Sequence, residues 1–200
     1  MSTIHTFGES HAGWHGGWRD VKVFDHHINF ATFTPATLMN TFGRDKLTVV
    51  GPDVNPGDIV VFCYGETDCR MHYWSRDADY KEDIERNVRA YCEAIKTNVE
   101  NKDVITFLFN IVPTYKPLHP NARGTNIQIL KYTKYMNEQL AIHAEEFGFR
   151  FLDVYGKYSD EHGWMIPELC DKICHITEPK YISEFLENSL RPQPQPDVTD

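Results

Sequence analysis

Two regions of the sequence, far apart along the chain, carry side chains suited to acyl transfer. Ser10 follows the short apolar run of residues 4–7, and His175 stands four residues after Asp171 near the C-terminus. A serine hydroxyl is a poor nucleophile near neutral pH and needs a base to take its proton, which an imidazole can do. A carboxylate behind the ring would fix its tautomer and stabilise the imidazolium. The residue types therefore suit a nucleophile, a base and an orienting acid.

The chain between these regions alternates between strand-like and helix-like patterns. Residues 58–64 form a nearly continuous apolar run, which is typical of a strand buried on both faces. Apolar residues recur every three or four positions in two longer segments, which predicts two amphipathic helices. The predicted strands are residues 4–7, 21–24, 58–64, 104–112 and 149–154, and the predicted helices are a short one from Pro35 and residues 80–99, 126–147 and 180–190.

The helix ends carry their own signals. Asp79 and Glu82 predict an acidic capping box at the start of the first long helix, and Gly148 predicts a C-cap after the second. Alternating strands and helices indicate βαβ units, and hence a three-layer α/β/α, flavodoxin-like fold with about five parallel strands and helices on both faces. Functional groups should then lie at the carboxyl ends of the strands. This rule selects the loop at Ser10, residues 65–72 and residues 168–177.

The composition excludes several classes of protein. With 41% hydrophobic and 24% charged residues, the 200-residue chain is typical of one soluble globular domain, predicted over residues 1–190 with a disordered, Pro-rich tail at 191–200. The net charge of −9 argues against nucleic acid or an anionic membrane as a partner. We expect a cytoplasmic protein, because no secretory or membrane-spanning segment is recognisable.

The five cysteines, at positions 63, 69, 92, 170 and 174, are irregularly spaced, which favours reduced thiols. Cys170 and Cys174 flank Asp171 and precede His175, but no further well-placed ligands accompany them, so neither a metal nor another cofactor is predicted. Five histidines crowd the first 27 residues, at positions 5, 11, 15, 26 and 27, and the chain is rich in aromatics. Together they suggest a polar, aromatic-lined surface of the kind that sugars use.

Three motifs resemble those of the SGNH (GDSL-like) hydrolase superfamily. The run Phe-Gly-Glu-Ser at residues 7–10 resembles its nucleophile motif, normally Gly-Asp-Ser after the first strand. Residues 65–68, Gly-Glu-Thr-Asp, resemble its Gly-x-Asn-Asp turn, and residues 171–175 resemble its C-terminal Asp-x-x-His. The order and positions agree along the whole chain. The resemblance implies an α/β hydrolase with Ser10 as nucleophile, His175 as base and Asp171 as the orienting acid.

The same resemblance implies where an oxyanion would bind. The backbone N–H of Ser10 and the turn that contains Gly65 and Thr67 would donate hydrogen bonds to it, and Thr34 lies where a further backbone donor is expected. Thr67 replaces the family's asparagine, and losing one such donor typically costs about 10²–10³ in rate. A threonine hydroxyl or the turn's backbone would have to substitute for it.

Two further departures concern the carboxylates. Glu9 replaces the usual aspartate beside the nucleophile, where the side chain mainly supports the turn. Asp171 precedes His175 by four residues instead of three, and Lys172 takes the usual position. A bulge of one residue would bring Asp171 back to the imidazole.

Polar residues around the Gly-Glu-Thr-Asp turn are candidate substrate contacts. Arg70 could bind a carboxylate, sulfate or phosphate in bidentate fashion, or could form a salt bridge with a neighbouring acid. Two carboxylates on one turn are also compatible with a glycosidase. A chain of 200 residues offers no large sugar-binding cleft, so a glycosidase is not favoured. The residues predicted to contact substrate are Glu66, Asp68, Arg70, His72 and His11.

These observations favour a serine hydrolase acting on an ester, with O-acyl (acetyl) groups of a carbohydrate as the predicted substrate. Two alternatives stay open. A protein of this fold with altered oxyanion residues could bind a glycan or protein partner without catalysis, or the site could transfer an acyl group in glycan biosynthesis.

Overall fold

A computed structural model describes residues 2–13, 16–24, 26–33 and 50–191 of the chain. Several predictions fall on residues outside these ranges. They are the short helix from Pro35, the backbone donor at Thr34, the side chain of His15 and most of the tail at residues 191–200.

Five parallel strands form one sheet in the order β2-β1-β3-β4-β5. The strands are β1 (Thr3–Gly8), β2 (His27–Phe33), β3 (Ile59–Cys63), β4 (Ile105–Phe109) and β5 (Arg150–Leu152). The helices are α1 (Glu66–Met71), α2 (Tyr80–Val99), α3 (Asn126–Phe147), α4 (Tyr155–Tyr158) and α5 (Lys180–Leu190). This arrangement confirms the predicted fold class.

Strand β3 explains why both faces of the sheet are covered. All five of its residues are buried, and successive side chains point to opposite faces. Val60 and Phe62 pack in the core formed with α2 and α3. Ile59 and Val61 pack in a second core, together with residues of α5. The continuous apolar run of residues 58–64 is therefore the signature of the central strand of three layers.

The two long helices differ in how they begin. Helix α3 begins with a capping box between Thr125 and Gln128, and it ends at Gly148, whose φ of 74° suits a glycine C-cap. The predicted capping box at Asp79 is wrong, because the Asp79 side chain accepts no hydrogen bond from α2. Its φ of −112° and ψ of 13° differ from the extended backbone that a capping side chain requires.

One predicted strand is also wrong. Val21 and Val23 are buried, but their segment pairs with no described strand, and the edge strand is β2, further along the chain. Alternating apolar residues had indicated a strand, whereas here they anchor a loop into the second core. Phe24 then turns the chain with a φ of 45°. Helices α1 and α4 are additions, since the sequence pattern predicts only a turn at the first and no element at the second.

All five cysteines are buried, and all five are free thiols. Over the part of the chain described, every helix is too short or too polar to cross a membrane.

Candidate active site

Ser10 lies just after the carboxyl end of β1, where Gly8 packs closely against Cys63 and Ala12. A Cβ atom on Gly8 would lie 2.1 Å from the carbonyl oxygen of Cys63 and 2.8 Å from Cβ of Ala12, so only glycine fits there. The Thr6 hydroxyl donates to the Ala12 carbonyl at 2.5 Å and closes the 3₁₀ turn that begins at Ser10. The local sequence thus holds the serine at the carboxyl edge of the sheet, beside β3.

The structure joins Ser10, His175 and Asp171 in one chain of hydrogen bonds. Nε2 of His175 lies 2.9 Å from Oγ of Ser10, and Nδ1 lies 2.7 Å from Oδ2 of Asp171. If the carboxylate accepts the Nδ1 proton, Nε2 is left as an acceptor for the serine hydroxyl. This is the geometry in which an imidazole can take the proton of a serine.

The four-residue spacing between Asp171 and His175 is accommodated by a tight loop. Oδ1 of Asp171 accepts hydrogen bonds from the backbone N–H groups of Ile173, Cys174 and His175, at 2.8, 2.9 and 3.0 Å. Lys172 takes up the extra residue with a φ of 60°, in the left-handed region. One carboxylate therefore orders the loop with one oxygen and contacts the imidazole with the other.

The ionisation of these groups suits a neutral base next to a charged acid. Burial alone would raise the pKa of Asp171, but the hydrogen bonds from His175 and from the loop amides lower it to about 2. Burial lowers the pKa of His175, and the neighbouring His11 lowers it further, against the opposing effect of Asp171. The imidazole is therefore free of its second proton at neutral pH.

His11 lies directly beside His175, with the two ring centroids 4.9 Å apart. It is 3% exposed, and its ring nitrogens have no hydrogen-bond partner within the described residues, although Nε2 lies 3.6 Å from Oε2 of Glu66. Burial would lower the pKa of His11, but Cys174 and Glu66 raise it to about 10. A cationic imidazole therefore stands next to the candidate base.

The turn after β3 is held by Glu9. The Glu9 carboxylate accepts the backbone N–H of Glu66 at 2.7 Å and that of Thr67 at 3.3 Å. Burial raises the pKa of Glu9 to about 7, with help from Glu66 and Asp68. Glu9 thus supports the turn, and the two amides that it engages already have an acceptor. Gly65, with a φ of 116°, lets the chain turn from β3 into α1.

Arg70 forms the salt bridge that was the alternative to anion binding. Its Nε and Nη2 donate to the two carboxylate oxygens of Glu66 at 2.8 and 3.2 Å, and Nη1 lies 3.3 Å from Nδ1 of His119. Burial would raise the pKa of Glu66, but His11 and Arg70 lower it to about 2. The charge of Arg70 is therefore largely matched by Glu66.

The other predicted substrate contacts lie apart from Ser10. Asp68 is completely buried, so a substrate could not reach its side chain, and this prediction is corrected. His72 follows α1 and is half-buried, with its N–H bound to the Asp68 carbonyl. His5, one of the crowded N-terminal histidines, is buried in the sheet against Asp58 and lines no surface.

A cleft lined in part by Ile173 and Cys174, which precede His175, brings in a residue that the sequence did not indicate, His119. It has about 310 Å³ of empty volume, part of it open to solvent, and the charged or ionisable residues in its wall include Glu66, Arg70 and His119. His119 lies in the segment that follows β4. The rule that functional groups lie at carboxyl strand ends could have found it, had it been applied to β4 as well as to β1 and β3. Among the described residues, His11, Cys174 and His175 also group as metal ligands would.

No family model and no curated protein matches the chain, but solved structures match it over nearly its whole length. A GDSL-like lipase from Bacteroides thetaiotaomicron VPI-5482 is 14% identical with a TM-score of 0.64, over 94% of this chain and 87% of that one. The lipase/acylhydrolase from Enterococcus faecalis is 15% identical with a TM-score of 0.58, over 97% and 100% of the two chains. The native aryl esterase of M. smegmatis is 13% identical with a TM-score of 0.60, over 94% and 96%. At such identities the likeness concerns the fold, and it shows that this chain has the fold of the SGNH (GDSL-like) hydrolases.

Proposed function

We propose that this chain, with the fold of the GDSL-like hydrolases, is a serine esterase that removes small O-acyl groups, acetyl above all, from a carbohydrate. The observation that carries the proposal is the hydrogen-bonded chain from Ser10 through His175 to Asp171. It stands at the carboxyl edge of a parallel sheet, where enzymes of open α/β folds bind their ligands.

The proposed reaction proceeds through an acyl-enzyme. Nε2 of His175 takes the hydroxyl proton as Oγ of Ser10 bonds to the ester carbonyl carbon, and the carbonyl oxygen becomes an oxyanion. The intermediate collapses, the C–O bond to the sugar breaks, and His175 gives its proton to the departing sugar oxygen. Water then attacks the acyl-serine by the same steps in reverse and releases the carboxylic acid. Asp171 keeps its charge throughout and stabilises the imidazolium.

We assign the oxyanion contacts to the backbone N–H of Ser10 and the hydroxyl of Thr67. Glu9 already engages the backbone N–H of Thr67, so the hydroxyl is the group that Thr67 can still offer. A small acyl group agrees with the restricted space of the cleft that Cys174, the chain neighbour of His175, helps to line. The sugar preference draws on the polar residues Glu66, Arg70 and His119 in that cleft and on the aromatic content of the chain.

One observation favours a second candidate function, which is binding of a glycan without catalysis. The amides of Glu66 and Thr67 are engaged by Glu9, and threonine is a shorter donor than the asparagine expected there. The shortage of free hydrogen-bond donors for an oxyanion is therefore the feature of the site that most disfavours catalysis.

Fluorophosphonate labelling tests the proposal, because this probe forms a stable adduct only with an activated serine. We expect one adduct, located on Ser10 by mass spectrometry, together with release of acetate from an acetylated sugar. Ser10→Ala should abolish both, while its free energy of unfolding stays within about 1 kcal/mol of wild type. A folded protein that gives no adduct, yet binds a glycan saturably and equally well as Ser10→Ala, would establish the second function instead.

A further inference from the structure

Three potential metal ligands meet beside the triad, and one of them, His175, is the base of the proposed reaction. One ligand atom from each of His11, Cys174 and His175 can be chosen so that all three lie within 4.8 Å of one another. His11 is 3% exposed and Cys174 is 6% exposed, so the group is shielded from bulk solvent. Neither His11 nor Cys174 takes part in the proton transfer from Ser10.

The spacing of this group is close to that of a zinc site. Zinc binds sulfur at about 2.3 Å and nitrogen at about 2.0–2.1 Å in tetrahedral geometry, which sets a sulfur–nitrogen separation of about 3.6 Å. Sγ of Cys174 lies 3.6 Å from Nε2 of His175. The widest separation in the group, 4.8 Å, would have to contract by about 1 Å to reach tetrahedral geometry.

Two features outside the ligand atoms also favour a metal. A histidine that binds zinc usually donates its other N–H to a carboxylate, which fixes the ring. Nδ1 of His175 already meets Asp171 at 2.7 Å. Independently, neither ring nitrogen of the buried His11 makes a hydrogen bond within the described residues, and the nearest carboxylate oxygen, Oε2 of Glu66, lies 3.6 Å from Nε2. A metal ion would engage one of the two ring nitrogens.

We propose that His11, Cys174 and His175 bind one zinc ion, and that this ion reversibly inhibits the esterase. Binding replaces the thiol proton of Cys174 and the proton on His11, and both protons leave to solvent. The metal takes the lone pair of Nε2 of His175, which is the lone pair that accepts the proton of Ser10. Metal and nucleophile therefore compete for one atom. The fourth zinc ligand is water or Glu66, whose carboxylate lies 3.6 Å from His11.

Metal binding is measured first, without reference to activity. The chelator-treated protein is titrated with Co²⁺, a zinc surrogate whose bond to a thiolate gives a charge-transfer band in the near ultraviolet. We expect one Co²⁺ per chain with this band, displaced by one equivalent of Zn²⁺. Cys174→Ala should remove the band and weaken Zn²⁺ binding at least a hundredfold, since even indirect contacts to a metal ligand are worth about 10–100-fold in affinity.

Cys170→Ala is the matched control. Cys170 is a buried thiol four residues upstream, and its sulfur contacts the Pro167 carbonyl instead of the histidines. This variant and Ser10→Ala should keep both the band and the affinity. The site does not exist if wild type shows no thiolate band with excess Co²⁺, or if Cys170→Ala loses the band while Cys174→Ala keeps it. If Cys174→Ala fails to fold, Cys174→Ser and His11→Asn provide the same comparison.

Inhibition is a separate measurement, and this part of the inference depends on the proposed function. Zn²⁺ should slow fluorophosphonate labelling of wild type at least tenfold, and EDTA should restore it. Labelling of Cys174→Ala, relative to its own metal-free rate, should be insensitive to the same Zn²⁺ concentration. Labelling that persists in a protein shown to hold zinc would overturn the inhibition. Absence of labelling without metal would contradict the esterase and leave the Co²⁺ result intact.

Discussion

The described residues include two histidine–aspartate pairs, and the two pairs have opposite surroundings. His175 and Asp171 meet at 2.7 Å in loops at the carboxyl edge of the sheet. His5 in β1 and Asp58, just before β3, meet at 3.1 Å inside the sheet. The side chains of the first pair are 15% and 27% exposed, whereas both side chains of the second are 5% exposed.

The two pairs differ in the group that lies next to the second ring nitrogen of the histidine. Nε2 of His175 faces the hydroxyl of Ser10 at 2.9 Å, but Nδ1 of His5 faces the side-chain amide of Asn29 at 3.3 Å. An amide N–H₂ has no nucleophile to activate. The buried pair instead ties strands together, since Asp58 also accepts the backbone N–H groups of Thr3 and Asn55. A histidine–aspartate pair therefore indicates catalysis only when a reactive group and access to substrate complete it.

The largest expected effect is on the exposed pair. Asp171→Asn keeps an oxygen for the loop amides but places an N–H₂ group against Nδ1 of His175, which favours the wrong tautomer. In the serine protease triad the equivalent change lowers kcat by about 10⁴, and we expect a loss of that order in ester hydrolysis. Thermal unfolding should show a folded variant that is moderately destabilised, by about 1–3 kcal/mol, because the loop amides and His175 lose hydrogen bonds to a charged group. Wild-type turnover in this variant would remove Asp171 from the mechanism.

The matched change in the buried pair should act on stability alone. Asp58→Ala leaves His5 and two backbone N–H groups without their acceptor, and breaking a buried pair costs about 3–5 kcal/mol. Chemical denaturation measures this loss, and labelling per folded molecule should equal that of wild type. A variant that unfolds normally but no longer labels would show that the two pairs are coupled through β1.

These pairs also show which features of the site can be predicted from the sequence. Ser10 is predicted from its position after the first strand, and Asp171 and His175 from a C-terminal loop whose residues resemble the family's motif in the expected order. The hydrogen bonds of Asp171 could not be foreseen, since they depend on the left-handed backbone of Lys172, a residue whose type gives no signal for it. His5 was misassigned to a surface because its partner Asp58 is distant in sequence.

Most helices and strands of the fold are likewise predictable from local sequence patterns, and the wrong predictions again concern features that depend on packing. Long periodic segments predict α2 and α3 with their observed limits, residues 180–190 are predicted as a short helix and form α5, and nearly continuous apolar runs predict β3 and β4. The predicted strand at residues 21–24 failed because two buried valines suffice to anchor a loop. Arg70 pairs with Glu66, four residues earlier on α1, which is the salt bridge that the sequence offers as the alternative to anion binding.

The acid limb of the pH–rate profile tests the environment of His175. Burial and the neighbouring His11 lower its pKa, so the base stays deprotonated below the ordinary value of about 6.5. In the presence of EDTA, kcat/KM for an activated acetyl ester should therefore stay level as pH falls through 6.5 and decline only at lower pH. An acid limb centred above 6.5 would contradict the assigned environment. Asp58→Ala, measured where it is folded, should show the same limb as wild type, since the His5–Asp58 pair does not contact Ser10 or His175.

The smallest expected effect concerns the Thr67 hydroxyl, the proposed donor to the oxyanion. Catalysis by the exposed pair needs such a donor, whereas the buried pair has no use for one. If the Thr67 hydroxyl binds the oxyanion, Thr67→Ala should lower kcat by about tenfold, less than the 10²–10³ lost with a strong donor. Thr67→Asn should raise kcat by about tenfold, because a carboxamide reaches further and donates more strongly. The pair of variants is decisive because the backbone N–H of Thr67 stays bound to Glu9 in both. Equal rates in all three proteins would mean that backbone groups alone hold the oxyanion, and that Glu9, which fixes this turn, has the greater influence on the rate.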